Sequence, residues 1–305
     1  MTCDCKKLSV DSKELIEKYS NMRTNYTSER QFLNQFIWAN YYNTCYYEKD
    51  DYLFYKMTIL GETSTMMPLC KDDRVISSFF EIKDFFNKEL NLPFKMHNVD
   101  DYYLDILKSS ERFNKEFDII EDRDSFDYLY DAEKLKTLSG RAYHKKKNHL
   151  NSFLKQYEGR YEYRTLCCSD IHDIVDFHEH WLHTRTISDK YQSISSEEEG
   201  LHNIFQNCCK LCCNMGGVYI DGKLQAYSIG SYASDIECAF IHIEKANVEI
   251  PGLYNYINQQ FLSHEFPDAK IVNREDDLGQ EGLRKAKMSY NPIRMINKYH
   301  LIEKQ

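Results

Sequence analysis

The order of strands and helices predicted in the second half of the sequence limits the fold more than any other feature. Short β-branched and aromatic runs alternate there with amphipathic stretches of helical length, which is typical of α/β proteins. The predicted elements are strand 161–166, helices 173–184 and 196–213, strands 217–221, 224–232 and 236–243, helix 252–264, strand 270–273, helix 280–289 and a last strand near 294–301. Together they indicate one α/β domain.

The first part of the chain predicts a second α/β unit. Its predicted elements are helices 9–22 and 28–40, the latter capped by Ser28, strands 45–47, 52–59 and 63–69, helix 74–90, strand 93–99, helix 101–109 and strand 117–120. Because single cores rarely grow beyond about 250–300 residues, a chain of 305 residues indicates two domains, 1–130 and 131–305. A helix over 132–155, interrupted only at Gly140, is predicted to bridge them.

Charge and cysteine content favour an intracellular protein. The net charge of −9 disfavours adhesion of the whole surface to nucleic acid or anionic lipid. No stretch offers the roughly 18 uncharged apolar residues of a membrane span, so we expect a cytoplasmic protein without one. We therefore expect the 11 cysteines to be thiols and not disulfides. Cys208, Cys209, Cys212 and Cys213 lie on a predicted helix and are interpreted as core thiols, with zinc binding as the alternative.

The predicted bridging helix is strongly basic. Residues 134–155 contain seven Lys or Arg and no acid, although the protein as a whole is acidic. Helical spacing places Arg141, Lys145 and Asn148 on one face, and Lys146 lies beside them. This strip is interpreted as a contact for phosphates, such as the backbone of tRNA. A solvated charged face is the alternative.

Charged residues follow two predicted neighbouring strands. Glu244 and Lys245 end one strand, and Arg274, Glu275 and Asp276 follow the next. Ligands of open α/β sheets bind beyond the carboxyl ends of parallel strands, so these side chains are expected to share one cleft. A carboxylate there can accept a proton from an attacking amine or hydroxyl, and a cation can stabilise the resulting oxyanion. Helix caps and salt bridges are the alternative.

The helix after these residues adds two cations. Arg284 and Lys287 lie one helical turn apart, where they can bind a phosphate or carboxylate or can project to solvent.

The glycine-rich loop that cradles the coenzyme A pyrophosphate is absent, because Gly252 is the one glycine in the corresponding stretch 249–256. A coenzyme A-dependent reaction is therefore disfavoured, and no motif with metal-ligand spacing is recognised.

Several segments together resemble the phosphatidylglycerol lysyltransferase C-terminal-domain family, including standalone bacterial members without membrane helices. The segments are 32–38, 139–141 with 144–149, 244–246, 273–276, 282–287 and 290–292. The resemblance implies two tandem GNAT-like acyltransferase domains, each a mixed twisted sheet flanked by helices, related to Fem-type transferases that use aminoacyl-tRNA. It also implies that Asp276, Arg284 and Lys287 line the active cleft beside Glu244 and Lys245, and that the basic helix meets tRNA.

Three functions compete on this basis. The first is transfer of an aminoacyl or acyl group from aminoacyl-tRNA, or a similar activated donor, to a small-molecule or lipid acceptor. The second is a noncatalytic module that binds tRNA or phosphate ligands through Arg141, Lys145 and Lys146. The third is an atypical coenzyme A-dependent N-acetyltransferase. The acceptor, the oligomeric state and the role of the first half stay open.

Overall fold

A computed structural model describes residues 5–184 and 191–304. The strands are β1 (Lys6–Lys7), β2 (Cys45–Glu48), β3 (Leu53–Ile59), β4 (Glu62–Met66), β5 (Lys95–Asp100), β6 (Phe117–Glu121), β7 (Asp127–Asp131), β8 (Tyr161–Leu166), β9 (Asn214–Ile220), β10 (Lys223–Ala233), β11 (Cys238–Ala246), β12 (Ile271–Asn273), β13 (Arg294–Ile296) and β14 (Lys298–Glu303). The α-helices are α1 (Lys13–Ser20), α2 (Phe32–Trp38), α3 (Val75–Asp84), α4 (Asp101–Lys108), α5 (Glu111–Glu116), α6 (Ala132–Thr137), α7 (His144–Gln156), α8 (Ile171–Thr184), α9 (Tyr191–Gln206), α10 (Cys208–Leu211), α11 (Leu253–Glu265) and α12 (Glu281–Met288).

Two seven-stranded mixed sheets form the molecule, and they exchange strands. The first sheet has the order β1-β2-β3-β4-β5-β14-β6, and the second has the order β13-β7-β12-β11-β10-β9-β8. The carboxyl-terminal strand β14 therefore completes the first sheet, between β5 and β6. Conversely, β7 belongs to the first half of the sequence but pairs with β12 and β13 in the second sheet. A boundary between residues 130 and 131 falls inside β7, so the two halves are joined by shared strands.

Three of the differences from the predicted secondary structure concern segments that join the two halves. The bridging helix is two helices, α6 and α7, because Leu138 and Gly140 adopt positive φ angles of 48° and 96° between them. The last predicted strand is two strands, β13 and β14, which belong to different sheets. Ser28 does not cap α2, because α2 begins at Phe32. The backbone N–H of Ser28 donates instead to Asp127 Oδ2 over 2.7 Å.

Hydrophobic cores lie on both faces of the second sheet and join the two halves. One core combines Leu53 and Tyr55 of β3 with Tyr227 and Ile229 of β10, so it belongs to both sheets. The opposite face of the second sheet packs against α6, α7 and α11, for example through Phe261. Because burial of apolar surface is the main favourable term in folding, the shared core fixes the relative position of the halves.

A buried ionic cluster reinforces this connection. Lys298 of β14 is 1% exposed, and its Nζ donates to Glu29 Oε1 over 2.6 Å and to Asp127 Oδ1 over 2.7 Å. Asp127 Oδ2 also accepts a hydrogen bond from Asn273 Nδ2 over 2.9 Å. Glu29 precedes α2, Asp127 begins β7 and Asn273 ends β12, so the cluster connects four segments of the chain.

The expectation that the cysteines are all thiols is wrong for two pairs. Cys5 is bonded to Cys45 and Cys168 to Cys208, each over a sequence separation of 40. The interpretation of the helical cysteines as core thiols is also wrong for three of the four: Cys208 is in a disulfide, and Cys209 and Cys212 are exposed. Among the described residues, no three His, Cys, Asp or Glu side chains are arranged to hold a metal ion.

Reduction of the disulfides is expected to lower the free energy of unfolding by about 2–4 kcal/mol for each bond, because an intact bond restricts the unfolded chain. Thermal unfolding with and without dithiothreitol measures the effect. Replacing both Cys168 and Cys208 with serine removes one bond and serves as the genetic control. An unchanged transition temperature after complete reduction, verified by thiol counting, would contradict the pairing.

Candidate active site

A gap opens in the second sheet where two parallel strands diverge. β11 and β12 are paired from Cys238–Ile271 to Phe240–Asn273, after which β12 ends while β11 continues to Ala246. His242 lies in a β-bulge, because it is an extra residue of β11 between the β10–β11 pairs at Ile243 and Ile241. The loop that follows β12 faces the free part of β11 across this gap.

Glu244 and Arg274 meet across the gap as the sequence predicts. Arg274 Nη2 donates to Glu244 Oε1 over 2.8 Å, and Asn258 of α11 donates to Glu244 Oε2 over 3.0 Å. The guanidinium lies 4.9 Å from the centre of the Tyr290 ring. Although burial disfavours its charge, Glu244 holds the pKa of Arg274 above the usual value. This pair forms one wall of the candidate site.

Lys245 lies on the opposite face of the sheet and does not share this cleft. Successive side chains of a strand point to opposite faces, so Lys245 points away from Glu244. Its Nζ donates to both carboxylate oxygens of Glu197, over 2.9 and 2.7 Å, and lies 4.5 Å from the centre of the Trp181 ring. The structure thus brings Glu244 and Arg274 together and separates Lys245 from them.

Asp276 and Lys287 form the chemically distinctive part of the site. Burial raises the pKa of the Asp276 carboxyl to about 7, although the nearby cations Lys298 and Lys287 act to lower it. The residue as a whole is nevertheless partly exposed. Lys287 Nζ donates to the backbone carbonyls of Arg274 and Asp276, and burial lowers the pKa of Lys287. A carboxylate that ionises near neutrality beside a fixed cation is suited to proton transfer.

Arg284 holds the loop and is already paired. Its Nε and Nη2 donate to the two carboxylate oxygens of Asp277 over 2.9 and 2.8 Å, and Nη2 also contacts Asp124 over 2.7 Å. Asp277 is fully buried, and although burial raises its pKa, hydrogen bonds from Arg284 and Tyr128 lower it below the usual range. This geometry gives Arg284 the role of fixing the turn that presents Asp276.

Residues 134–155, which we call the basic segment, border an open pocket beside the gap. Lys146 and His149 of α7 line it with Asn255 of α11, and its volume is about 450 Å³. Lys146 Nζ lies 4.1 Å from the centre of the Tyr290 ring, and burial lowers the pKa of Lys146. Arg141, Lys145 and Asn148 are exposed on the same segment. The structure therefore places the predicted strip at the surface, next to the pocket that Lys146 enters.

The first half contributes residues that the sequence did not single out. Tyr42, just after α2, has a pKa raised to about 12 by burial and by the nearby Asp276, so its hydroxyl stays protonated. Asn34 of α2 donates to Glu275 Oε1 over 2.9 Å. His242 of β11, in the second half, contacts the same oxygen through Nδ1 at 2.7 Å. His242 could have been identified from the sequence, because it is a polar residue between Ile241 and Ile243 of a predicted apolar strand.

The fold is that of tandem GNAT proteins, as predicted. A tandem GNAT protein from the clavulanic acid biosynthesis pathway superposes with a TM-score of 0.52 at 6% identity, over 98% of each chain. A crystal structure of a conserved protein of unknown function from Bacteroides thetaiotaomicron gives a TM-score of 0.90 at 28% identity, over 99% of this chain and 100% of that one. The C-terminal domain of a putative lysylphosphatidylglycerol synthetase from Agrobacterium fabrum gives 0.66 at 11% identity, over 96% and 92%.

The chain belongs to the phosphatidylglycerol lysyltransferase C-terminal family, whose model matches residues 21–302. This confirms the resemblance that the sequence motifs predict. An uncharacterised protein of Mycoplasmoides gallisepticum is 26% identical over 208 residues, which are 67% of this chain and 66% of that protein, just under two thirds of its length. Among the described residues, no helix has both the length and the apolar character needed to cross a bilayer.

Proposed function

We propose that this protein transfers an aminoacyl group from aminoacyl-tRNA to an amine or hydroxyl acceptor, with Asp276 as the general base. The observation that carries the proposal is the Asp276 carboxyl, whose pKa is raised to about 7. It follows β12, beside the gap between diverging strands of the second sheet. Ligands of open α/β sheets bind at such carboxyl ends.

The proposed reaction needs one proton acceptor and one source of positive charge. Asp276 accepts the proton of the attacking N–H or O–H as the acceptor atom bonds to the ester carbonyl carbon. Lys287 lies beside this carboxylate and offsets the negative charge that develops on the carbonyl oxygen. The bond from the carbonyl carbon to the ribose oxygen then breaks, and the proton on Asp276 passes to that oxygen.

The donor side of the proposal rests on the basic segment and on the pocket beside it. Arg141 and Lys145 are exposed, where they can contact phosphates, and Lys146 lines the 450 Å³ pocket. Arg274 Nη1 and Asn258 Oδ1 are buried and have no hydrogen-bond partner among residues 5–184 and 191–304. Because unpaired buried polar atoms are costly, they favour binding of a polar group at the gap.

Transfer of label from aminoacyl-tRNA tests the proposal. The protein is incubated with tRNA charged with radiolabelled amino acids and with a cell extract as the source of acceptors. If the acceptor is an amine, the label is expected in a product that resists the mild alkali that hydrolyses aminoacyl-tRNA. If the acceptor is a hydroxyl, the label is expected in an extractable ester. Salt-sensitive binding of tRNA without turnover would instead favour a noncatalytic binding module, and label transfer from acetyl-coenzyme A would favour an acetyltransferase.

Binding of tRNA is expected to depend on Arg141 and Lys145. Replacing both with glutamate is expected to weaken binding and to reduce the slope of log affinity against log salt concentration by about 0.7–0.9 for each phosphate that the protein no longer neutralises. Filter binding at several salt concentrations measures this slope. Lys108→Glu, an exposed lysine on α4, is the matched control. Equal slopes for the double variant and this control would contradict a tRNA surface on the basic segment.

A further inference from the structure

A chain of hydrogen bonds runs from the first half of the protein to the loop that carries Asp276. Ser231 Oγ donates to Gln31 Oε1 over 2.9 Å, and His242 Nε2 lies 2.8 Å from the same Oγ. His242 Nδ1 lies 2.7 Å from Glu275 Oε1, which also accepts from Asn34 Nδ2 over 2.9 Å. The His242 side chain is fully buried. We call these five residues the His242 relay.

With Gln31 Oε1 facing the Ser231 hydroxyl, the donors and acceptors of the His242 relay assign its protons as follows. The Gln31 side-chain oxygen is an acceptor, so the Ser231 hydroxyl proton points toward it and the hydroxyl oxygen must accept from His242. His242 Nε2 therefore carries a hydrogen. At the other end an ionised Glu275 carboxylate is only an acceptor, so Nδ1 carries a hydrogen as well. A ring with hydrogens on both nitrogens is an imidazolium.

We propose that His242 is a positioning residue, held as an imidazolium between Ser231 and Glu275, that aligns Asp276 for the proposed transfer reaction. Glu275 precedes Asp276 and has a positive φ of 56°, a strained conformation for a residue other than glycine. The ion pair with His242 and the hydrogen bond from Asn34 hold Glu275 in place. Because Gln31 and Asn34 belong to the first half, this inference gives that half a part in aligning the base, and it rests on the proposed function.

The charged surroundings explain why a fixed imidazolium is useful there. Lys298 of β14, Lys287 of α12, Asp127 of β7 and Glu275 all influence the ionisation of Asp276. Without a cation beside it, the Glu275 carboxylate would add to the repulsion that Asp127 exerts on Asp276. It would also be free to move toward Lys287 and Lys298. The His242 imidazolium neutralises Glu275 in place, so that Lys287 stays beside Asp276.

The protonation of His242 can be measured without any substrate. Long-range proton–nitrogen correlation spectra of ¹⁵N-histidine-labelled protein report each ring nitrogen, and His242→Gln identifies the signals by their loss. At pH 7 both nitrogens of His242 are expected to be protonated. Glu275→Gln is expected to leave one of them unprotonated, whereas Gln31→Glu, which offers only acceptors, is expected to keep both. A wild-type ring with one unprotonated nitrogen at pH 7 would overturn the proposal.

Kinetics separate positioning from a purely structural role and from covalent catalysis. Ser231→Ala is expected to lower kcat by about 10- to 100-fold with little change in KM or in unfolding temperature, because small misplacements of a catalytic group have effects of that size. Ser231→Thr keeps the hydroxyl and is expected to restore most of the rate. An unchanged kcat in Ser231→Ala would overturn the positioning role, and complete loss with a trapped acyl-serine in the wild type would replace it with a covalent route. If the wild type transfers no label, the proposed function fails while the spectra still decide the state of His242.

Discussion

Asp276→Asn is expected to lower the rate of aminoacyl transfer by about 10²–10⁴-fold, the usual contribution of a general base. Asparagine has the size of aspartate but does not accept the proton at neutral pH. The wild-type rate is expected to rise with pH through about 7, where the Asp276 carboxyl loses its proton, and the variant is expected to lack this rise. Single-turnover transfer of labelled amino acid from tRNA, measured between pH 5 and pH 9, tests both expectations.

The control for this experiment is a carboxylate outside the gap. Asp118 of β6 is exposed, and Asp118→Asn is expected to keep the wild-type rate and pH profile. Stability provides a second readout with a defined sign. The folded protein holds the Asp276 proton more tightly than the unfolded chain does, so this residue reduces stability increasingly as pH rises from about 4 to about 7. Asp276→Asn is therefore expected to unfold at a higher temperature than the wild type at pH 8, and a lower temperature would contradict the raised pKa.

Lys298→Met is expected to reduce the free energy of unfolding by about 3–5 kcal/mol, because removal of one partner from a buried ion pair leaves an uncompensated charge. Lys298 is the cation that contacts both Glu29 and Asp127. Methionine matches its length and apolar stem, so the change mainly removes the charge. Chemical denaturation at pH 7 measures the loss.

Two further variants test the cause of this effect. Lys304→Met replaces an exposed lysine just after β14 and is expected to change stability by less than about 0.5 kcal/mol. Adding Asp127→Asn to Lys298→Met removes one of the stranded carboxylates and is expected to restore part of the loss. A loss below about 1 kcal/mol in Lys298→Met would show that the cluster does not join the two sheets.

Local patterns predicted most elements but not the sheet to which each belongs. The strands and helices from 161 to 289 were predicted because their apolar periodicity is strong. β7 was missed, since its sequence Asp-Tyr-Leu-Tyr-Asp begins and ends with acids and forms a strand only between β12 and β13. The exchange of β7 and β14 depends on contacts between distant segments, which short-range patterns do not encode.

The candidate site was predictable where it follows strand ends and not where it depends on the pairing of distant side chains. Glu244, Arg274 and Asp276 follow from the carboxyl ends of two neighbouring strands. Lys245 was assigned to the same cleft because its position along the strand was considered without the alternation of faces. The His242 relay joins segments near residues 31, 231, 242 and 275, and no spacing in the sequence relates them.

The ionisation of Asp276 is the most direct test of this account. In protein labelled with ¹³C-carboxyl aspartate, the Asp276 signal is identified by its absence from Asp276→Asn and is followed from pH 3 to pH 9. We predict a midpoint at about 7, as the surroundings of this carboxyl require. A midpoint near 4, the ordinary value for an aspartate, would contradict the assignment of Asp276 as the base.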